Sequence, residues 1–172
     1  MKTKTVYRKS IFPADIDRVY RLLKKLKMLN FIARPYASFT PIGGDSDIRW
    51  EKGQRAAFRL RLFCVVPFGV HTINVISFSK QGICTHESNT YVPVWNHRIR
   101  LRSLPDGRTE YSDEVEIGAG WKTIFVWLWA RCFYAHRQRK WIRYLSKARS
   151  EKVTAMDNKR SKKRNALRYR GQ

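Results

Sequence analysis

The chain has 172 residues, room for one domain and a tail. At that length roughly 70% of the unfolded surface is buried on folding, so a core forms without disulfide or metal staples. Its 36 Lys and Arg against 13 Asp and Glu leave +23, which limits partners to anions, while 43% hydrophobic and 13% aromatic residues exclude wholesale disorder.

A strand is expected over Val6–Phe12. Pro13-Ala14-Asp15-Ile16-Asp17 follows, with proline at a helix start and carboxylates in the first turn, where the macrodipole favours them. Ile16, Val19, Tyr20, Leu23, Leu26 and Leu29 recur at three- and four-residue intervals and predict one amphipathic helix ending near Asn30. Arg34-Pro35 and Pro41 to Asp45 mark a loop region over 30–47.

From Gln54 to Ile117 the period changes to two. Phe58, Leu60, Leu62 and Cys64 alternate with Arg55, Ala57, Arg59 and Arg61. Pro67-Phe68-Gly69 reads as a turn, Val70–Phe78 as a strand, Lys80-Gln81-Gly82 as a second turn and Ile83–Tyr91 as a further strand. Trp95, His97, Ile99 and Leu101 then share one face against Asn96, Arg98, Arg100 and Arg102. Tyr111, Asp113, Val115 and Ile117 share another against Glu110, Ser112, Glu114 and Glu116. This is a hairpin whose outer faces pair arginine with glutamate.

The last element runs from Trp121 to Ser146. Trp127, Ala130, Tyr134, Gln138, Trp141 and Leu145 form one stripe, with His136, Arg139, Lys140, Arg143 and Lys147 opposite in the second half. In the first half Phe125, Trp129 and Phe133 take that opposite side. Residues 1–148 are read as the domain. Residues 149–172, with nine basic and two acidic residues, are read as a disordered basic tail. Strands in series flanked by helices indicate α+β with an antiparallel sheet.

The longest uncharged run in the aromatic-rich C-terminal region, Thr123–Ala130, is too short to span a bilayer. No apolar stretch follows the basic N-terminus, so no signal peptide is expected. Cys64, Cys84 and Cys132, odd in number and widely spaced, fit a reducing compartment. The expected location is cytoplasmic, at most peripheral to a membrane.

Several residues are candidates for chemistry. All inner-face positions of the hairpin are odd-numbered, so a three-residue loop Pro105-Asp106-Gly107 pairs Ile99 with Asp113 and sets His97 diagonal to Asp113. His97 and Asp113 then form either a general base with its orienting carboxylate or a structural buried pair. Trp95, Tyr111, Trp127 and Tyr134 line a ligand cavity or fill the core. Phe125, Trp129 and Phe133 form a portal, a dimer seam or a membrane-contacting patch, or lie buried under the loop over 30–47. Lys159-Arg160-Ser161-Lys162-Lys163-Arg164 suits nucleic acid or a polybasic anchor as well as plain solvation, and no nucleic-acid module signature accompanies it. Cys84 and His86 share a strand face without a second ligand pair, and no phosphate loop or nucleophile motif is present, so neither metal nor cofactor is expected.

The element order and certain residues resemble the START/polyketide-cyclase (SRPBCC, helix-grip) superfamily. The resemblance runs through Ile11 to Tyr20 at the first helix, Trp50-Glu51-Lys52-Gly53 entering the sheet and Trp95-Asn96-His97, where the family often has Trp-x-His. It continues through Asp106 to Val115, similar to a Gly-x-Thr-x-x-x-Asp-x-Val strand, and Phe133-Tyr134-Ala135-His136-Arg137 in the last helix. It covers most of residues 6–148. The resemblance implies a curved antiparallel sheet gripping a long C-terminal helix around a cavity, and binding or transport of a hydrophobic small molecule or lipid. A basic shell would hold such a domain near an anionic membrane surface. Two alternatives are a cyclase- or hydratase-type enzyme using His97 and Asp113, and a charge-driven nucleic-acid-associated protein.

Overall fold

Asp15 caps the first helix through its side chain, which accepts from the Arg18 amide at 2.8 Å. Strand β1 (Lys4–Phe12) precedes helices α1 (Ile16–Leu23) and α2 (Leu26–Ala33). Strands β2 (Ala37–Pro41), β3 (Arg55–Leu62), β4 (Val66–Phe78), β5 (Gly82–Asn89), β6 (Val92–Ser103) and β7 (Thr109–Gly118) lead to helix α3 (Thr123–Arg168). The computed structural model describes residues 1–43 and 48–168, with side chains to Ala148 and at Ser150. The seven strands form one antiparallel sheet in the order β1-β7-β6-β5-β4-β3-β2.

Four elements differ from the sequence expectation. The single helix to Asn30 is broken, because Lys25 is extended and bridges Arg49. The Leu26 amide donates to Ile48 and the Trp50 amide to Lys24, which buries Leu26 and Trp50 against Phe58 and Ile73. The loop over 30–47 contains β2, whose free edge is held by the Asn30 amide. Asn30 Nδ2 donates to the Phe39 carbonyl and the Phe39 amide donates to Asn30 Oδ1, each at 2.8 Å. Asp45 of that loop lies outside the described residues.

The third difference is a turn. It falls at Phe63 and Cys64, both with positive φ, and Pro67-Phe68-Gly69 instead forms a bulge inside β4. The fourth is α3, whose backbone continues past the expected end at Ser146 to Arg168. The side chains of Lys159 to Arg164 lie outside the described residues.

The β6–β7 hairpin has the expected register, with Ile99 opposite Asp113 and Gly107 left-handed at φ 75° in its tight turn. Arg98 and Arg100 reach Glu114, and Arg102 and Lys9 reach Glu110, on its solvent face. Such exposed pairs are screened by water and add little to stability. At the start of β5, Gly82 lies so close to β6 that an added Cβ would stand 2.5 Å from the Ile99 carbonyl oxygen. Gly82→Ala is therefore expected to destabilise by about 1–3 kcal/mol, read as a lower denaturant midpoint.

Helix α3 lies across the β1/β7 side of the sheet. Trp127 Nε1 donates to the Thr5 carbonyl at 2.9 Å, Gln138 Nε2 to the Arg8 carbonyl at 3.1 Å, and Ser10 Oγ to Gln138 Oε1 at 2.6 Å. Phe12 of β1 stacks on Tyr111 of β7 at 4.4 Å and on Trp141 of α3 at 5.8 Å. This asymmetric seating leaves a space between the helix and the concave face of β2 to β6.

Candidate ligand cavity

That space is a cavity of about 340 Å³, within the range of small-molecule sites. Its walls are Met28 and Ile32 of α2, Phe39 of β2, Leu60 of β3, and Ile73 and Val75 of β4, closed by α3. Phe125 lines the cavity and is also 64% exposed, so the cavity reaches the surface there. Exposed Trp121 and Tyr91 flank this mouth, and Lys122 lies over both of their rings, at 5.6 and 5.8 Å. Beside it, Tyr36 packs on Trp129, Phe133 and the exposed Phe63.

Among the expected site residues, Trp95, Trp129, Tyr134, Phe125 and His97 line the cavity together. Tyr111, Trp127 and Asp113 do not. Tyr111 and Asp113 belong to β7, which α3 covers, and Trp127 turns toward β1 to bond Thr5. Conversely, Phe125, Trp129 and Phe133, opposite the expected sheet-facing stripe, look into the cavity, grading from exposed Phe125 to buried Phe133. The helix sits over one side of the sheet, and its flank roofs the open part.

A polar cluster forms the deep wall. His97 Nε2 and Asp113 Oδ1 are 2.8 Å apart, and Asp113 also accepts from Tyr111 Oη at 2.9 Å and Gln138 Nε2 at 2.8 Å. Burial opposes ionisation of Asp113. The bond to His97 and the fields of Arg137 and His97 outweigh it and hold the carboxyl below its ordinary range. Glu87 sits 2.8 Å from His71 Nε2 and accepts from Thr85 Oγ1 at 2.6 Å. Burial raises Glu87 too, and the His71 bond with the fields of both histidines brings it net below the ordinary value. Burial, reinforced by the neighbouring charge of Asp113, pushes the Tyr111 hydroxyl upward.

Chemically, His97 and Asp113 have the spacing of a base and its orienting carboxylate, but Asp113 is sealed from the cavity. The other imidazole nitrogen, Nδ1, looks at Glu87 Oε1 4.0 Å away, so both ring nitrogens face carboxylates. This arrangement holds a wall in place better than it hands a proton to a substrate.

Sequence reading missed His71, Glu87 and the inward aim of Arg137. The first two were within reach. His71 shares parity with buried Ile73 and Val75, and Glu87 with Ile83 and Thr85, so period two carried along β4 and β5 places both on the inner face. Cys84 and His86 fall on the outer face of β5.

The fold is the helix-grip arrangement of an α+β protein. Over 83% of the chain it is similar to hypothetical protein jhp0584 from Helicobacter pylori, with a TM-score of 0.66 at 12% identity across 88% of that chain. It is similar to protein MLL2253 from Mesorhizobium loti at TM-score 0.65 and 13% identity, covering 84% of this chain and 98% of that one. Ara h 8.0201 gives TM-score 0.61 at 10% identity, with 85% and 99% covered. At such identities the likeness shows the fold alone. The chain belongs to the family described as domain of unknown function DUF8410, whose profile matches residues 10–145. No curated protein matches it. Among the described residues, no helix is long and apolar enough to cross a membrane.

Proposed function

We propose that this protein binds a hydrophobic small molecule or lipid in the cavity, as its resemblance to the START/polyketide-cyclase superfamily implies, and exchanges it at an anionic membrane surface. The observation that carries the reading is the 340 Å³ cavity with mostly apolar walls. Its mouth supports the membrane half. Trp121 and Tyr91 have the amphipathic rings that settle at a bilayer interface, Phe125 adds an apolar one, and Lys122 lies among them. A cation near such a surface gains about 1 kcal/mol from anionic lipid, and the chain carries +23.

The test has two arms. N-phenyl-1-naphthylamine, a neutral fluorescent probe, is expected to bind saturably at one site. Ile73→Trp, whose indole occupies part of the cavity, is expected to weaken it at least about tenfold at a stability cost of about 1–3 kcal/mol. In flotation, the protein is expected to follow phosphatidylglycerol-containing vesicles, stay free of purely zwitterionic ones, and lose most of the former in Trp121→Ser/Phe125→Ser. Probe binding indifferent to Ile73→Trp would overturn the cavity assignment, and equal binding to both vesicle types the membrane assignment.

A further inference from the structure

Among the described residues, four buried side-chain nitrogens have no hydrogen-bond partner: His71 Nδ1, Trp129 Nε1, Arg137 Nε and Trp141 Nε1. All four belong to residues that line the cavity. Three of them can only donate. Natural cores leave few such groups, and a cluster of them round one space calls for a cause.

Arg137 is the sharpest case. It lies about four turns into α3, is only 5% exposed and lines the cavity. The two buried carboxylates already have partners, Asp113 in His97, Tyr111 and Gln138, and Glu87 in His71 and Thr85. Neither forms an ion pair with Arg137, whose close neighbour is the face of the Tyr134 ring at 5.4 Å. Burial disfavours the guanidinium charge, and the summed fields of Tyr111, Asp113, Tyr134 and Glu87 more than offset that, so Arg137 stays a cation. A buried charge without an ion-pair partner is costly. The carboxylates act on Arg137 only through their fields, and its Nε donor is left without a partner beside the cavity.

We infer that the cavity takes an amphiphile with an acidic head group, a carboxylate set on the Arg137 guanidinium, with its apolar body running toward the mouth at Phe125. This deepens the binding reading above and rests on it. The geometry suits such a ligand. Phe125 and Arg137 are separated by roughly 18 Å of helix at 1.5 Å per residue, so the cation is deep and the apolar entrance shallow. Guanidinium is the side chain best matched to a carboxylate, which it grips with two parallel N–H bonds.

The experiment compares dodecanoate with dodecan-1-ol, equal in chain and different in head group, by displacement of N-phenyl-1-naphthylamine from the full chain. It is run in about 0.5 M salt, which screens the exposed charges over a few ångströms and a buried pair far less. Dodecanoate is expected to bind at least about tenfold tighter than the alcohol, about 1.4 kcal/mol. Arg137→Gln is expected to bring that ratio to about one.

A second measurement needs no variant. The carboxyl carbon of bound 13C-labelled dodecanoate titrates below its value in free solution if it sits on Arg137, and above it if it lies in apolar surroundings. A wild-type ratio near one, a ratio that survives Arg137→Gln, or an upward carboxyl shift overturns the inference and leaves the cavity reading standing. If the chain binds neither amphiphile, both fall.

Discussion

Asp113→Ala is expected to lower the unfolding free energy by about 3–5 kcal/mol, because removing one partner of a buried ionic cluster strands the others. His97, Tyr111 and Gln138 would lose their common acceptor, whose own position is fully buried. The measurement is a denaturant midpoint at unchanged slope, or a melting temperature lower by about 6–20 °C for a domain of this size. A loss under about 1 kcal/mol would show that the cluster does not hold β6, β7 and α3 together.

The same carboxylates set an acid limit. Asp113 and Glu87 ionise below their ordinary values of 3.8 and 4.5. A depressed folded value means that their contribution is whole above the unfolded range and drains away as pH falls through the lower folded values. Wild-type stability is thus expected to decline as pH drops below about 4.5. Asp113→Ala should decline less steeply across that window, since one of the buried titrating carboxylates is gone.

Phe12→Ala is expected to cost about 3–5 kcal/mol as well, for a different reason. Phe12 is fully buried, and its ring is gripped between Tyr111 and Trp141, so it joins β1, β7 and α3 in one stack. Truncation leaves a void that three separate elements would have to move to fill. Phe12 does not line the cavity. The variant should therefore melt early yet bind the neutral probe with wild-type affinity at temperatures where it is folded. A binding loss comparable to that of Ile73→Trp would mean that the stack shapes the cavity after all.

How much of this was legible in the sequence depends on how local each signal is. The β6–β7 register follows from parity and a three-residue turn, two facts contained in the residues from Trp95 to Ile117, and it carries the His97–Asp113 contact with it. The helix break at Lys25 does not, because it is caused by pairing with Arg49, and the run from Ile16 to Leu29 keeps its helical spacing across it. Strand β2 was hidden in the same way, being held partly by the Asn30 side chain. The turn at Phe63 and Cys64 lacks the glycine or asparagine that marks left-handed backbone, while Pro67 and Gly69 advertise a turn and build a bulge. Tyr111 and Trp127 show the limit most clearly. Their inner-face positions were correctly read, but whether an inner face meets a helix or a cavity depends on where α3 sits across the sheet, which no single element encodes.

The pairing of the first strand with the last has a kinetic consequence. Val6 must wait for Val115, so during synthesis β1 has neither its sheet partner nor α3 until nearly the whole domain has emerged. A waiting strand with an open edge is a site for mispairing with other chains. Lys4, Arg8 and Lys9 are spread along β1, and their charges repel identical nascent strands. Some of the basic character of this chain therefore acts before there is any cavity or surface to serve, by keeping its first strand solitary until the last one arrives.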